Sequence, residues 1–308
     1  MTGYLRQRHA MLRISFLVIT LNRSDKLRRC LTSLQAMTYA HKEIWVLNNG
    51  STDNTADMLV SDFGHSDIHV VNVPENIGAG SGRNMLARHA AGDVCVFMDD
   101  DTYSDDPNMG DKIASYFSGA SSEKTVVVFS ILDETGALFT NYIPRFDKTP
   151  QAEDTPCTCL MAGGFAIRKQ FFDQTGGFWP RLDPYGYEDR ELGFRLLAQG
   201  AQMLWSRHIA IHHDKEEDPN VNPRWMHCML PHHGWVAIRH LPWRYVLSYL
   251  AHGWPYFGLK AIRYGLMGAY LRSVWIFFRH LPEVLRERRV LPGAVLRQCK
   301  AHSGRLRY

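Results

Sequence analysis

Beyond residue 220 this sequence has almost no acidic side chains. Residues 221–308 contain two, Glu283 and Glu287, against 14 Lys and Arg, a net of +12. Residues 1–220 contain 29 acidic against 21 basic, a net of −8, so the overall +4 hides an acidic body joined to a basic tail. Such asymmetry points the tail toward an anionic partner. Cysteine is also sparse. The six (Cys30, Cys95, Cys157, Cys159, Cys228, Cys299) form no Cys-x-x-Cys pair, which argues against a disulfide framework or zinc site and for a reducing compartment. No uncharged apolar run approaches the roughly 18 residues of a transmembrane helix. Met1 to Arg13 is basic and polar, with no signal-type apolar core after it. Internal repeats and low-complexity tracts are missing. With 45% hydrophobic and 21% charged residues over 308 positions, the chain is globular, of one large or two ordinary domains.

What is present alternates between two periods. Apolar runs at Ile14–Ile19, Glu43–Leu47, Ile68–Val73 and Asp93–Met98 read as buried strands. Between them, helical spacing follows Ser24 (a candidate N-cap), a position near Thr55, and Gly82 to Ala91. Strands separated by helices of 10–15 residues predict an α/β fold with right-handed crossovers. In such sheets ligands bind beyond the carboxyl ends of the strands, where Thr20, Asn48, Asn76 and Asp99 fall. Further on, Val126–Ile131 and Ala137–Tyr142 read as a hairpin, 147–156 as a mobile loop, Cys159–Ile167 as a strand, and Glu188–Gln199 as an amphipathic helix.

Four groups of residues carry chemistry. Asp99-Asp100-Asp101 ends the fourth strand, and adjacent carboxylates repel unless compensated. A hard divalent cation, Mg²⁺ or Mn²⁺, compensates them and bridges to a diphosphate; a solvated acidic turn is the plain alternative. Asn76-Ile-Gly-Ala-Gly-Ser-Gly-Arg83-Asn84 permits close backbone approach, and Arg83 suits a phosphate, yet the run matches neither the P-loop nor the dinucleotide pattern. Glu188-Asp189 opens a helix, where a carboxylate acts as general base or merely complements the dipole. Glu191 and Arg195 read as an i,i+4 helix pair. His212-His213 ends a strand, and alternation turns only one toward a site. His232-His233 could bind substrate, but reads rather as the start of a tail helix.

Together these motifs resemble the inverting nucleotide-sugar glycosyltransferases of family 2, which have the GT-A fold, and most of all the bacterial rhamnosyl- and galactofuranosyltransferases. The resemblance spans about Ile14 to Asp214 and rests on Val18 to Arg23, Asn48 to Asp53, Asn76 to Asn84, Asp99 to Asp101, Gly176-Gly-Phe178 and Glu188-Asp189. It implies a mainly parallel mixed sheet flanked by helices, with residues 1–220 as the nucleotide-sugar-binding and catalytic domain. It also implies nucleotide-sugar contacts from Thr20, Asn22, Arg23, Asn48, Asp53, Asn76, Arg83, Asp99 and Asp100. Asn48 stands where the family usually has an aspartate, which leaves UDP, dTDP or GDP open. Metal ligation falls to Asp99, Asp101 and His213, with His212 the competing choice. Asp189 matches the general base, Glu188 would orient the acceptor, and Gly163-Gly164 matches an acceptor-side wall. The activity implied is metal-dependent transfer of a sugar from a nucleoside diphosphate to a hydroxyl of a glycan, lipid-linked or small-molecule acceptor.

A sugar-1-phosphate nucleotidyltransferase is the alternative enzyme, but Thr20-Leu-Asn-Arg23 lacks the glycine expected after its first strand. A non-catalytic sugar-nucleotide-binding partner is disfavoured by the retained Asp99, Asp101, Asp189 and His213. Residues 221–308 form a helical extension in which Trp235, Trp243, Trp254 and Trp275 alternate with arginines. That pattern predicts either contact with an anionic membrane, with the enzyme cytoplasmic and peripheral on the inner face of the plasma membrane, or packing and homodimerisation. No nucleic-acid-binding motif accompanies the charge.

Overall fold

A computed structural model describes residues 11–144, 149, 151–214 and 221–303. Apolar residues on both faces of the first strands build a buried sheet. β1 (Ile14–Thr20), β2 (Lys42–Asn49), β3 (Ile68–Val73) and β4 (Val94–Asp99) run parallel in the order β3-β2-β1-β4. Their crossovers are α1 (Ser24–Gln35), α2 (Thr55–Phe63) and α3 (Ala79–His89). After the short β5 (Thr102–Tyr103) and α4 (Met109–Phe117) the sheet becomes mixed. Beyond β4 it continues through β8 (Gly164–Arg168), β6 (Thr125–Leu132), β9 (Gln202–His213) and β5, and β7 (Thr155–Pro156) pairs with β9. Helices α5 (Lys169–Thr175) and α6 (Glu188–Ala198) follow β8.

Strand alternation divides the interior into two layers. Phe16, Val18, Val94 and Val96 pack with Leu27, Leu31, Met58 and Ile113 on one face. Leu17, Cys95, Phe97 and Phe165 pack with Leu86, Phe172 and Leu192 on the other. The second layer does not stop at residue 220. α7 (Pro223–His240), α8 (Trp243–Arg263) and α9 (Met267–Arg286) place Trp235, Val236, Tyr249, Phe257 and Phe277 in that same cluster, and α10 (Gly293–Ser303) adds Leu296 and Cys299. Among the described residues, no helix is long and apolar enough to cross a membrane.

Several expectations are corrected locally. Arg23 rather than Ser24 occupies the N-cap position of α1. α3 begins three residues before Gly82, because Asp183 accepts hydrogen bonds from Gly80 N (3.1 Å), Ser81 N (3.3 Å) and Ser81 Oγ (2.5 Å) and so satisfies the helix start from a distance. Gly82 lets α3 lie close on the sheet: a Cβ there would stand 2.3 Å from Ile19 Cδ1. The strand expected over Cys159–Ile167 begins only at Gly164. Ala137–Tyr142 forms no strand; Leu138 makes one isolated bridge to Leu132, and Thr140–Tyr142 forms a 3₁₀ turn. Of the 147–156 loop, residues 147, 148 and 150 lie outside the described residues. His232 and His233 sit in the middle of α7, both buried.

The Glu191–Arg195 pair proves to be more than helix support. Glu191 is fully buried and accepts from Arg195 Nε (2.9 Å) and Nη2 (2.6 Å). His240 Nε2 stands 2.9 Å and Arg239 Nε 3.4 Å from the same carboxylate, tying α6 to the end of α7. Although burial opposes its charge, the hydrogen bonds and cations around it bring the Glu191 carboxyl down to about 2. Its unfolded value of about 4.3 is higher, so the linked stabilisation, about 3 kcal/mol, is complete above pH ~4.3 and fades as pH falls toward ~2. Glu191→Gln, which leaves cations without their counter-charge, is expected to cost about 3–5 kcal/mol in denaturant unfolding. It should also flatten that acid limb of the stability curve.

Candidate active site

Three strand ends and one helix start converge on a cleft of about 420 Å³. Its lining includes Arg83, Asp99, Gly163, Glu188, Asp189 and His213, with Tyr142, Met161, Tyr185, Tyr187 and Met229 as largely apolar walls. Arg83, from the first turns of α3, is buried. Its Nη2 donates to Asp99 Oδ1 at 2.5 Å and its Nη1 to Glu188 Oε1 at 3.4 Å. One guanidinium thereby joins the end of β4 to the start of α6. Despite burial, the two carboxylates push the Arg83 pKa up and keep it charged.

The remaining aspartates of the triplet face other partners. Asp100 is buried, accepts from Thr20 Oγ1 (2.7 Å) and Arg23 Nη1 (3.2 Å), and burial pushes it up to about 6. Asp101 accepts from Arg23 Nη1 at 2.9 Å, and its Oδ1 lies 3.3 Å from His213 Nε2. Burial raises the Asp101 pKa, but His213 and Arg23 outweigh it and the carboxyl sits below its ordinary value. That Oδ1 is buried with no hydrogen-bond partner. A hard oxygen with unused acceptor capacity beside an imidazole suits a divalent cation. Among the described residues no three His, Cys, Asp or Glu side chains gather as a ready-made metal cluster. Asp101 and His213 therefore offer a two-residue set, of the kind that substrate phosphates and water complete. Asp99, expected as a third ligand, turns to Arg83 instead. His212 points away from Asp101, toward Asp105 (3.0 Å), and stacks on Tyr103.

Asp189 follows Tyr187, whose left-handed backbone (φ 66°) aims the start of α6 into the cleft. Its Oδ1 accepts from Arg190 N at 2.6 Å. Desolvation raises the pKa of both Asp189 and Glu188, and Glu188 Oε2 also accepts from Gly186 N at 2.5 Å. A carboxylate of raised basicity at a cleft wall is equipped to take a proton from a hydroxyl.

The other expected donor-side residues lie outside the cleft lining and brace the loops around it. Asn22 accepts from Thr52 N (2.7 Å) and Asp53 N (3.3 Å), and Asp53 accepts from Thr55 N and Oγ1 at the start of α2. Asn48 donates to Asn72 at 3.0 Å. Asn76 accepts from Asn49 Nδ2 (3.1 Å) and Gly78 N (2.8 Å), pinning the entry to α3. Sequence reading missed Asp183 and Tyr142, and set a helix start at His232. The last, buried, lies 3.1 Å from Tyr185 O and 3.2 Å from Gly186 O, beneath the segment that leads to Glu188. No short motif marks Asp183 or Tyr142. Arg83→Met removes the one cation shared by Asp99 and Glu188, so denaturant unfolding should show a loss of about 3 kcal/mol. Arg83→Lys, a single point charge, should recover only part of it.

The model of the family described as "Glycosyl transferase family 2" matches residues 15–176, more than half of the chain but short of Glu188, Asp189 and His213. Poly-β-1,6-N-acetyl-D-glucosamine synthase of Staphylococcus aureus is 34% identical over 92 residues, a match that spans 30% of this chain and 22% of that relative. Among solved structures, S. aureus TarS in complex with UDP-GlcNAc superposes with a TM-score of 0.59 at 16% identity, covering 89% of this chain and 83% of that one. The mannosyltransferase PcManGT of Pyrobaculum calidifontis, in complex with GDP-Man and Mn²⁺, gives 0.57 at 17% identity, covering 95% and 76%. With more than half its length matched and a mixed α/β sheet shared with these GT-A structures, the chain belongs to glycosyl transferase family 2.

Proposed function

We propose that this protein is an inverting, metal-dependent glycosyltransferase that moves a sugar from a nucleoside diphosphate to an acceptor hydroxyl. The observation that carries the reading is the placement of Asp99, His213 and Asp189 around one cleft in a family 2 chain, with Asp101 against His213. The structural neighbours bound to UDP-GlcNAc and to GDP-Man with Mn²⁺ support a nucleotide-sugar donor and a divalent ion. Asp101 and His213 would hold Mn²⁺ or Mg²⁺, which supplies positive charge to the departing diphosphate. Arg83, already charged and buried, offers a further cation on the donor side, while Asp99 holds it in place. Asp189 takes the proton from the acceptor hydroxyl as that oxygen attacks the anomeric carbon from the face opposite the leaving group. Glu188, fixed by Arg83 and Gly186 N, orients the segment that presents Asp189. One displacement inverts the anomeric centre, so no covalent sugar–enzyme bond forms.

Asp189→Asn keeps the shape and removes the base. Turnover, followed as nucleoside diphosphate release, should fall about 10²–10⁴-fold, with the donor still bound. Near-normal turnover in that variant would refute the assignment. Because burial raises the Asp189 pKa, kcat should decline as pH falls through a value above the ordinary aspartate range. UDP, dTDP and GDP should be compared by thermal shift with and without Mn²⁺. At least one is expected to stabilise the protein only with the metal, and Asp101→Asn should abolish that dependence.

A further inference from the structure

The two longest helices of the C-terminal region expose large apolar side chains that none of the described residues covers. On α9 the inner face, Ser273, Phe277 and Val284, is buried. Its outer face runs Met267, Leu271, Trp275, Phe278, Leu285, spaced three, four and seven apart on one side of the helix, with Leu271, Trp275 and Phe278 between 53 and 61% exposed. Alongside that stripe runs a second at seven-residue spacing, Arg272, Arg279 and Arg286, all exposed. α8 adds Trp243, Leu247, Leu259 and Ile262, each more than half exposed though not in one line, and Arg244 and Arg263 are exposed as well. Isolated exposed leucines need no explanation, but an aligned stripe of this length marks a contact surface.

Charge decides what the surface fits. The acidic side chains of the region, Glu283 and Glu287, are both engaged inward, Glu283 by Arg181 (2.5 Å) and His280 (3.1 Å), Glu287 by Arg239 (2.9 Å). Among the described residues, Arg272, Arg279 and Arg286 form no ion pair with an acidic side chain. A second copy docked face to face would set arginine against arginine. A nucleic acid would neutralise the arginines but leave Trp275, Leu271 and Phe278 in water. A bilayer bearing anionic headgroups satisfies both: indole, leucine and phenyl side chains enter the boundary between headgroups and acyl chains, and the arginines stay at the phosphate level. We propose that the outer face of α9, together with the exposed apolar side chains of α8, docks this protein on an anionic membrane surface. The proposal is independent of the sugar-transfer chemistry, since vesicle binding requires no turnover.

The test is co-sedimentation of the full chain with vesicles of phosphatidylcholine alone and of phosphatidylcholine with 30% phosphatidylglycerol on the order of 0.1 M salt. Binding to the anionic vesicles at least tenfold tighter than to the neutral ones is expected. Arg272→Gln/Arg279→Gln/Arg286→Gln should remove at least tenfold of that affinity, and Trp275→Ala/Phe278→Ala a similar amount. These side chains are exposed, so thermal midpoints should match the parent. Binding that ignores lipid charge, variants that bind as well as the parent, or no partitioning by the folded protein would each overturn the proposal. So would a concentration-dependent dimer, measured by sedimentation, that Trp275→Glu dissolves while the parent ignores vesicles.

Discussion

The Arg83 guanidinium, buried where the end of β4 meets the start of α6, is the charge around which the cleft is arranged. A cation of that size leaves water only if oxygens replace its hydration, and Asp99 and Glu188 do so from opposite sides. The pairing fixes three things at once: the direction of Asp99, the rotamer of Glu188, and the distance between the strand that carries the acidic triplet and the helix that carries Asp189. Phe178 lies 5.5 Å from the guanidinium carbon and closes its remaining side. The Gly-rich run before Arg83 serves the same end. Its glycines allow α3 to begin early and lie on Ile19 and Leu47, which brings Arg83 to the sheet edge.

Division of labour within the acidic triplet follows from its partners. Asp99 belongs to Arg83, Asp100 to Thr20 and Arg23, and Asp101 to His213 and Arg23. Burial raises the Asp100 carboxyl while Arg23 and the Thr20 hydroxyl favour its charge, and Arg23 offsets part of the repulsion among three adjacent carboxylates. Arg23 contacts two of the three, so the loop after β1 and the end of β4 are held as one unit.

Much of this was legible in the sequence where chemistry is local. The four leading strands, the acidic triplet at the end of the fourth, and Glu188-Asp189 at a helix start are short patterns with a definite period. Alternation says that one of His212 and His213 faces the cleft; that it is His213 was implied only by the family resemblance. The ambiguous residues were Asn22, Asn48, Asp53 and Asn76. Short polar side chains that suit a ligand also suit a turn, and here their hydrogen bonds go to neighbouring strands, turns and helix starts. Asp183 was invisible because its partners, Gly80 and Ser81, lie about a hundred positions away, brought near only by chain closure. The change of composition near residue 220 suggested an added module, whereas one buried cluster holds residues from both sides of that boundary. Charge at the surface and packing in the interior obey different rules, and only the first shows in a running sum.

The buried carboxylate of Glu191 has a consequence for inheritance. Arg195 lies on its own helix, but Arg239 and His240 come from α7, so a single side chain is answerable to two segments. Replacing Glu191 leaves Arg195 and Arg239 short of their shared counter-charge, and replacing Arg195 takes from Glu191 its two-point partner. Related sequences should therefore keep positions 191, 195, 239 and 240 together or exchange all of them for a different solution. The C-terminal helices then cannot be traded among relatives as a cassette: whatever surface they contact, they descend with the helix that carries Asp189.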